Sequence, residues 1–161
     1  MYRLIKEGVK YMLLESPLRE KVEAIMEESD NEFSNENYEK SINLLQKAWD
    51  LLPEPKEIYD DSFYIAKDMI ITNLFLQDYT NGKKWADLIF KCDLERIDDG
   101  ERELLAGRVA YESGDVKAAE SLFLTAHQKS EGRLFENKKY QKYLDLIKKP
   151  ILRNMRKNEY N

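Results

Sequence analysis

Three stretches of the chain repeat one helix-turn-helix pattern, and this repetition constrains the fold more than any other feature. Successive copies are offset by 41 and 37 residues. Small residues at matched places allow two helix axes to approach closely, and stacked pairs of this kind bury a shared core. The pattern therefore predicts an array of paired helices. The matched positions are Ser41, Gly82 and Ala119, followed seven residues later by Ala48, Ile89 and Ala126.

Apolar spacing and capping residues predict helices along the whole chain, and no segment alternates with the period of two that indicates a strand. Segment 1–15 carries Ile5, Val9 and Met12 at helical spacing and is expected to form an extra N-terminal helix. Pro150 is expected to end the last helix. The predicted organisation is one helical domain over 1–149, with repeats at roughly 17–53, 60–96 and 100–131, a capping helix over 138–148, and a polar basic tail over 150–161.

The composition indicates a cytoplasmic protein. The 6 glycines and 4 prolines leave little chain for hairpin turns or a glycine-rich phosphate loop. Cys92 is the single cysteine, so no internal disulfide can form. Arg3 and Lys6 interrupt the apolar residues near the N-terminus, which argues against a signal peptide. No stretch approaches the roughly 18 apolar residues of a membrane span.

The residues that usually carry catalysis are scarce, so we expect neither an enzyme nor a cofactor or metal site. His127 is the only histidine, which excludes a multi-histidine metal site within one chain. Cys92 lies near a predicted helix end and is interpreted as an inert, half-buried residue. The acidic run from Asp93 to Asp99 resembles a calcium loop, but Ile97 stands where an oxygen ligand is required and the sixth position is not glycine.

The third copy of the pattern resembles the tetratricopeptide repeat family, and the resemblance covers roughly residues 20–130. It implies an all-α fold of stacked antiparallel helix pairs, an α-solenoid, with the N-terminal helix and the capping helix added. Copy one departs from the family at Glu28-Ser29 and copy two at Met69-Ile70, where the family has small residues. The matching residues in copy three are Ala106-Gly107, Gly114-Asp115, Ala119, Phe123 and Ala126.

In this family the first helices of successive repeats line a concave groove that binds another protein, and the resemblance implies a groove here. Large side chains at Phe33, Leu74 and Tyr111 would form its apolar spine. An alternative is that Phe33 and Leu74 pack internally and the N-terminal helix fills the groove. The candidate partner-binding residues are Glu23, Met26, Glu27, Asp30 and Phe33 in copy one, Tyr64, Lys67, Ile71, Leu74 and Phe75 in copy two, and Leu104, Arg108, Tyr111 and Glu112 in copy three.

The charge distribution indicates a cationic protein partner. Residues 1–80 hold 17 acidic against 9 basic side chains, and residues 81–161 hold 14 against 17. An acidic surface disfavours nucleic acid and attracts basic partners. The sharpest hypothesis is an immunity-type protein that masks a basic toxin by occlusion. The alternatives are a peptide-binding adaptor or assembly chaperone, and nucleic-acid binding through the basic, tyrosine-containing helix that begins near Lys138.

Overall fold

The computed structural model describes residues 2–5, 9–92 and 99–158, with side chains described over 12–92 and 99–155. A short antiparallel hairpin is followed by helices packed in adjacent pairs, as the repeat pattern predicts. The strands are β1 (Tyr2–Ile5) and β2 (Val9–Met12). The helices of the described residues are α1 (Leu18–Ser34), α2 (Tyr38–Leu51), α3 (Asp60–Leu76), α4 (Tyr79–Leu88), α5 (Glu101–Glu112), α6 (Val116–Ser130) and α7 (Gln141–Asn158).

The chain divides into two compact units, Met1–Ile97 (unit 1) and Asp98–Asn161 (unit 2). In unit 1, α1 packs on α2, α2 on α3, and α3 on α4. Its core includes Val22, Leu45 and Ile65, which are fully buried. In unit 2, α5 packs on α6 and α6 on α7, around a core that includes Phe123 and Ile147.

The prediction of an N-terminal helix is wrong, since Tyr2–Ile5 and Val9–Met12 form two paired antiparallel strands. Tyr2 lies opposite Met12 and Ile5 lies opposite Val9 in the antiparallel register. The spacing of the apolar residues fits a helix, but β-branched and aromatic residues favour strands, and pairing two strands satisfies their backbone groups. The backbone of Met12 also pairs with that of Tyr59 at the start of α3, which anchors the hairpin to unit 1.

The small residues of the repeat pattern lie where the paired helices make contact. Ser41, Gly82 and Ala119 are all buried. Gly107 on α5 faces the ring of Phe123 on α6, and a Cβ added at Gly107 would lie 2.5 Å from Phe123 Cε1. The close approach that the sequence predicts for the third pair is therefore observed.

Aspartate caps begin the second helix of the two later pairs. The carboxylate of Asp78 accepts a hydrogen bond from the Asn81 amide at 3.1 Å, and Asp115 accepts one from Ala118 at 3.1 Å. These bonds satisfy amide groups that a helix start leaves without partners. Gly114, with φ of +91°, makes the left-handed turn that ends α5, as predicted.

The prediction that Pro150 ends the last helix is wrong, because α7 continues through it to Asn158. Proline removes one backbone hydrogen bond and normally interrupts a helix. Here the partly buried Ile151 packs against the core of unit 2 directly after the proline, and burial of its apolar surface favours continuation of the helix. Residues 150–158 are consequently a helical extension of the predicted capping helix.

Candidate partner-binding cleft

A cleft of about 180 Å³ lies between α1 and α3 in unit 1. Its floor is the contact between α1 and α2, and its walls combine carboxylates with apolar side chains. We call it the α1–α3 cleft. It is lined by Ser29, Asp30, Phe33, Ser41, Asp68, Ile71 and Thr72.

Two buried serines form the floor of the cleft. Ser29 donates to the backbone oxygen of Ser41 at 3.1 Å, and the two hydroxyl oxygens lie 2.8 Å apart. Both residues are only 1% exposed, so the pair brings α1 and α2 close together without leaving a buried hydroxyl unsatisfied. Thr72 on the α3 wall donates to the backbone oxygen of Asp68 at 2.8 Å.

Asp30 supplies negative charge to the cleft. Partial burial raises the pKa of its carboxyl above the ordinary value. Among the residues whose side chains the structure describes, no basic group pairs with it. A partly desolvated carboxylate of this kind gains from a cationic partner that enters the cleft.

More acidic groups lie towards the N-terminal ends of α1 and α3. Burial is the main cause that raises the pKa of Asp61, and the neighbouring charges of Asp60 and Glu23 raise it further, against the opposing effects of a backbone hydrogen bond and Arg19. Glu23 itself pairs with Arg19 at 3.0 Å in an exposed contact. Negative charge therefore accumulates along one end of the cleft.

Three aromatic rings lie at the opposite end. The centroid of Phe33 is 5.2 Å from Tyr38 and 5.0 Å from Phe75, and Tyr38 and Phe75 are 5.1 Å apart. Phe75 is 52% exposed although it belongs to this cluster. An exposed ring held by two neighbours presents apolar contact area at little cost in side-chain entropy.

The structure brings several of the predicted residues of copies one and two to the cleft and leaves others beside it. Asp30, Phe33 and Ile71 line it. The alternative in which Phe33 packs internally is only partly met, because its ring is half-buried and borders the cleft. Leu74 is half-buried, and Glu27 is exposed on α1. The other predicted residues of these copies are Met26, which packs partly buried on the core, Tyr64, which is 42% exposed, and Lys67, which is half-buried.

The predicted residues of copy three pack against α7 and do not line an open groove. Leu104 belongs to the core of unit 2 with Tyr143. Tyr111 contacts the Tyr143 ring edge-on at 5.3 Å, and Arg108 lies 5.5 Å from the centre of the Tyr140 ring. Their expected role in a groove is therefore corrected: α7 supplies large side chains that cover this face of α5.

Glu112, the last of the predicted residues in copy three, is bound by two groups of α7. Lys142 forms an ion pair with it, and the Tyr143 hydroxyl donates to it at 3.0 Å. Burial acts to raise the pKa of Glu112, but the bonds from Lys142 and Tyr143 outweigh that effect and lower it. This carboxylate stabilises the contact between α5 and α7.

Sequence reasoning missed Ser29, Ser41, Asp68 and Thr72 as cleft residues. Asp68 lies four residues after Tyr64 and three before Ile71, so helical spacing alone places it on the same face of α3. Ser29 was recognised only as a departure from the family pattern. Its pairing with Ser41 depends on the packing of α1 against α2, which spacing within one helix does not report.

Cys92 and His127 are the residues that the sequence analysis considered for catalysis or metal binding. Cys92 is fully buried, rather than half-buried as expected, and its thiol donates to the Leu88 oxygen at 3.6 Å. His127 packs beside the Phe135 ring at 5.8 Å. Among the residues that the structure describes, no group of three or more His, Cys, Asp or Glu side chains is placed to hold a metal ion. Most of the acidic run from Asp93 to Asp99 lies outside the described residues.

The basic residues of α7 are partly neutralised inside unit 2. Lys142 pairs with Glu112, and Lys148 pairs with Asp145 at 2.5 Å. These two ion pairs reduce the positive charge that α7 presents to a nucleic acid. Lys139, which precedes α7, lies over the Tyr140 ring at 4.8 Å.

Comparisons with known proteins add no family to these observations. No protein-family model matches the chain, and no curated protein matches it significantly. Within the described residues, no helix has both the length and the apolar character that crossing a membrane requires.

Proposed function

We propose that this chain is a non-catalytic protein-binding module whose α1–α3 cleft binds a basic segment of another protein. The observation that carries the proposal is that the carboxylate of the exposed residue Asp30 lines one cavity together with Phe33 and Ile71. Carboxylates steer and orient a cationic partner, while the apolar walls and the exposed Phe75 supply contact area. In this proposal the helix pairs are degenerate tetratricopeptide-type repeats, supported by the small residues buried at matched positions.

The sharper form of the proposal is an immunity-type protein that masks a basic toxin. Occlusion requires only that the cleft covers cationic residues of a folded partner, and no catalytic group is needed. An adaptor or assembly chaperone would use the same cleft for a short extended or helical peptide. The two forms differ in the partner they need: the first binds one folded protein tightly, and the second accepts peptides.

A direct test uses a fluorescein-labelled amphipathic helical peptide of lysine and leucine, with a glutamate–leucine peptide of the same length as the reference. We expect fluorescence anisotropy to show binding of the lysine peptide only. Reversing the charge at Glu23, Glu27 and Asp30 together should weaken binding at least tenfold, which corresponds to about 1.4 kcal/mol. It should also slow association.

The matched control reverses three exposed acidic residues outside the cleft, Glu39, Asp50 and Asp87, which changes the net charge by the same amount. Binding that falls equally in both triple variants would indicate a general charge effect and would contradict the assignment to the cleft. The immunity form is tested by co-expression with the product of the neighbouring reading frame. Protection of the cells by the wild type and not by the cleft variant supports it.

A further inference from the structure

The C-terminal turns of α7 present an apolar and basic surface to solvent. Leu152 and Met155 are 56% and 58% exposed, and their spacing of three residues places them on one side of the helix. Lys148 lies four residues before Leu152, on the same side. Lys149 and Arg153 are exposed beside them. We call these five residues the tail face.

The tail face complements the α1–α3 cleft in chemistry. The cleft combines Asp30 and Asp68 with Phe33, and the tail face combines lysine and arginine with two flexible apolar side chains. Exposed large apolar residues rimmed by charge are typical of interaction surfaces, and methionine adapts to irregular apolar walls. The whole chain shows the same asymmetry, since residues 1–80 are strongly acidic and residues 81–161 are slightly basic.

The tail face is also short enough to lie along the stretch of α1 that holds Glu23 and borders the cleft. From Glu23 to Phe33, α1 advances about 15 Å, at a rise of about 1.5 Å per residue. From Lys148 to Met155, α7 advances about 10 Å by the same rise. A tail face can therefore lie along the cleft, with its basic residues towards the acidic end and its apolar residues near Phe33 and Phe75.

We propose that the tail face of one copy of this chain docks in the α1–α3 cleft of a second copy. Each copy then offers one cleft and one tail, so the contact is head-to-tail and propagates into short chains or closes into a ring. The interface is small and charged, so the extent of association should rise with protein concentration and the affinity should fall with salt. The inference rests on the cleft of the proposed function, and a basic partner would compete with the second copy.

The test is analytical ultracentrifugation of the full chain over a range of concentrations. The wild type should show an apparent mass that rises with concentration and falls when salt is added. A cleft variant with Glu23→Lys and Asp30→Lys, and a tail variant with Leu152→Glu and Met155→Glu, should each associate at least tenfold more weakly. All four positions are exposed, so folding should be retained, which circular dichroism checks.

Mixing the two variants is the decisive measurement. The cleft variant keeps its tail and the tail variant keeps its cleft, so the mixture should form a dimer that cannot extend. Val116→Glu with Ser121→Glu is the control for the charge added to the tail variant, and Glu39→Lys with Asp87→Lys is the control for the cleft variant. Both controls should associate like the wild type. A monomeric wild type, or a mixture that yields no dimer, would overturn the proposal.

The peptide assay on the tail variant separates this inference from the proposed function, because that variant has an intact cleft. Peptide binding without self-association would leave the proposed function standing and refute the head-to-tail contact. Self-association without peptide binding would support the contact and count against a separate basic partner. Failure of both measurements would refute both proposals.

Discussion

The first helices of the two units place the same repeat positions in different surroundings. Asp30 on α1 corresponds to Arg108 on α5, and Phe33 corresponds to Tyr111. In unit 1 these residues border a cleft, whereas in unit 2 they are covered by Tyr140, immediately before α7, and by Tyr143 of α7.

The neighbouring helix decides between these two outcomes. In unit 1, α3 contributes Asp68, Ile71 and Thr72, which leave a cavity of about 180 Å³ above the serine floor. In unit 2, Tyr140 immediately before α7 and Tyr143 within α7 contribute rings that occupy the corresponding face. The same helical hairpin thus supports a binding surface or a structural contact, depending on the size of the side chains that the next helix brings.

The largest expected effect is that of Tyr143→Ala in the covered face. Tyr143 is 4% exposed and stacks on Phe123 at 4.8 Å, so its removal should cost about 3–5 kcal/mol of unfolding free energy. Phe33→Ala in the cleft should cost less, about 1–2 kcal/mol, because the ring is only half-buried. Urea unfolding followed by far-UV circular dichroism measures both. Equal losses of unfolding free energy in the two variants would contradict the distinction between the covered face of α5 and the face of α1 that borders the cleft.

A smaller effect is expected where α5 and α6 make close contact. Gly107→Ala places a methyl group against the buried Phe123 ring. Overpacking costs about 1–3 kcal/mol, and the better helix propensity of alanine returns up to about 1 kcal/mol, so a net loss of about 1–2 kcal/mol is expected. The equivalent change in unit 1, Ser29→Ala, removes a hydrogen bond and should cost about 1 kcal/mol. A rise in the melting temperature of Gly107→Ala would contradict the observed contact.

Glu112→Gln tests the carboxylate of the covered face. Because the folded state lowers the pKa of Glu112, its ionised form contributes stability above the unfolded pKa of about 4.3. This contribution is lost as the pH falls through the lower folded pKa. The variant should lose no more than about 1 kcal/mol at neutral pH, because Lys142 is half-exposed. Its difference from the wild type should shrink on acidification, which unfolding curves at several pH values measure.

Asp30→Asn should show the opposite pH dependence, with the smallest magnitude. Burial raises the folded pKa of Asp30, so ionisation destabilises the fold above that pKa, and the penalty disappears as the pH falls through the raised pKa towards the unfolded value. At neutral pH the variant should be as stable as the wild type or more stable by a few tenths of a kcal/mol. Unfolding curves of the variant and the wild type at several pH values measure this difference. Destabilisation of the variant at neutral pH would be inconsistent with a cleft carboxylate that lacks a cationic partner.

Sequence patterns predicted the paired helices well, because caps and small residues act locally. Asp78, Asp115 and Gly114 mark helix boundaries through hydrogen bonds and backbone conformation within a few residues of themselves. The same reasoning did not predict the N-terminal hairpin. Its few apolar residues fit a helical spacing, whereas pairing between Ile5 and Val9 and contact with Tyr59 decide its conformation.

The candidate site was only partly predictable, for a related reason. The resemblance to the repeat family implied Asp30, Phe33 and Ile71, which do line the cleft. It also selected Leu104 and Arg108, because the pattern of α5 alone does not reveal that α7 covers them. The extension of α7 past Pro150 depends on the burial of Ile151, which is again a contact between elements distant in sequence.

The burial of Cys92 makes the chain well suited to site-specific labelling. A thiol with 0% exposure should react slowly with maleimide reagents, so the native cysteine need not be removed. A cysteine introduced at the exposed Asn154 would then carry a fluorophore or spin label within the turn that joins Leu152 to Met155. Its emission or line shape would report, at that one position, whether α7 is free in solution or covered by another molecule.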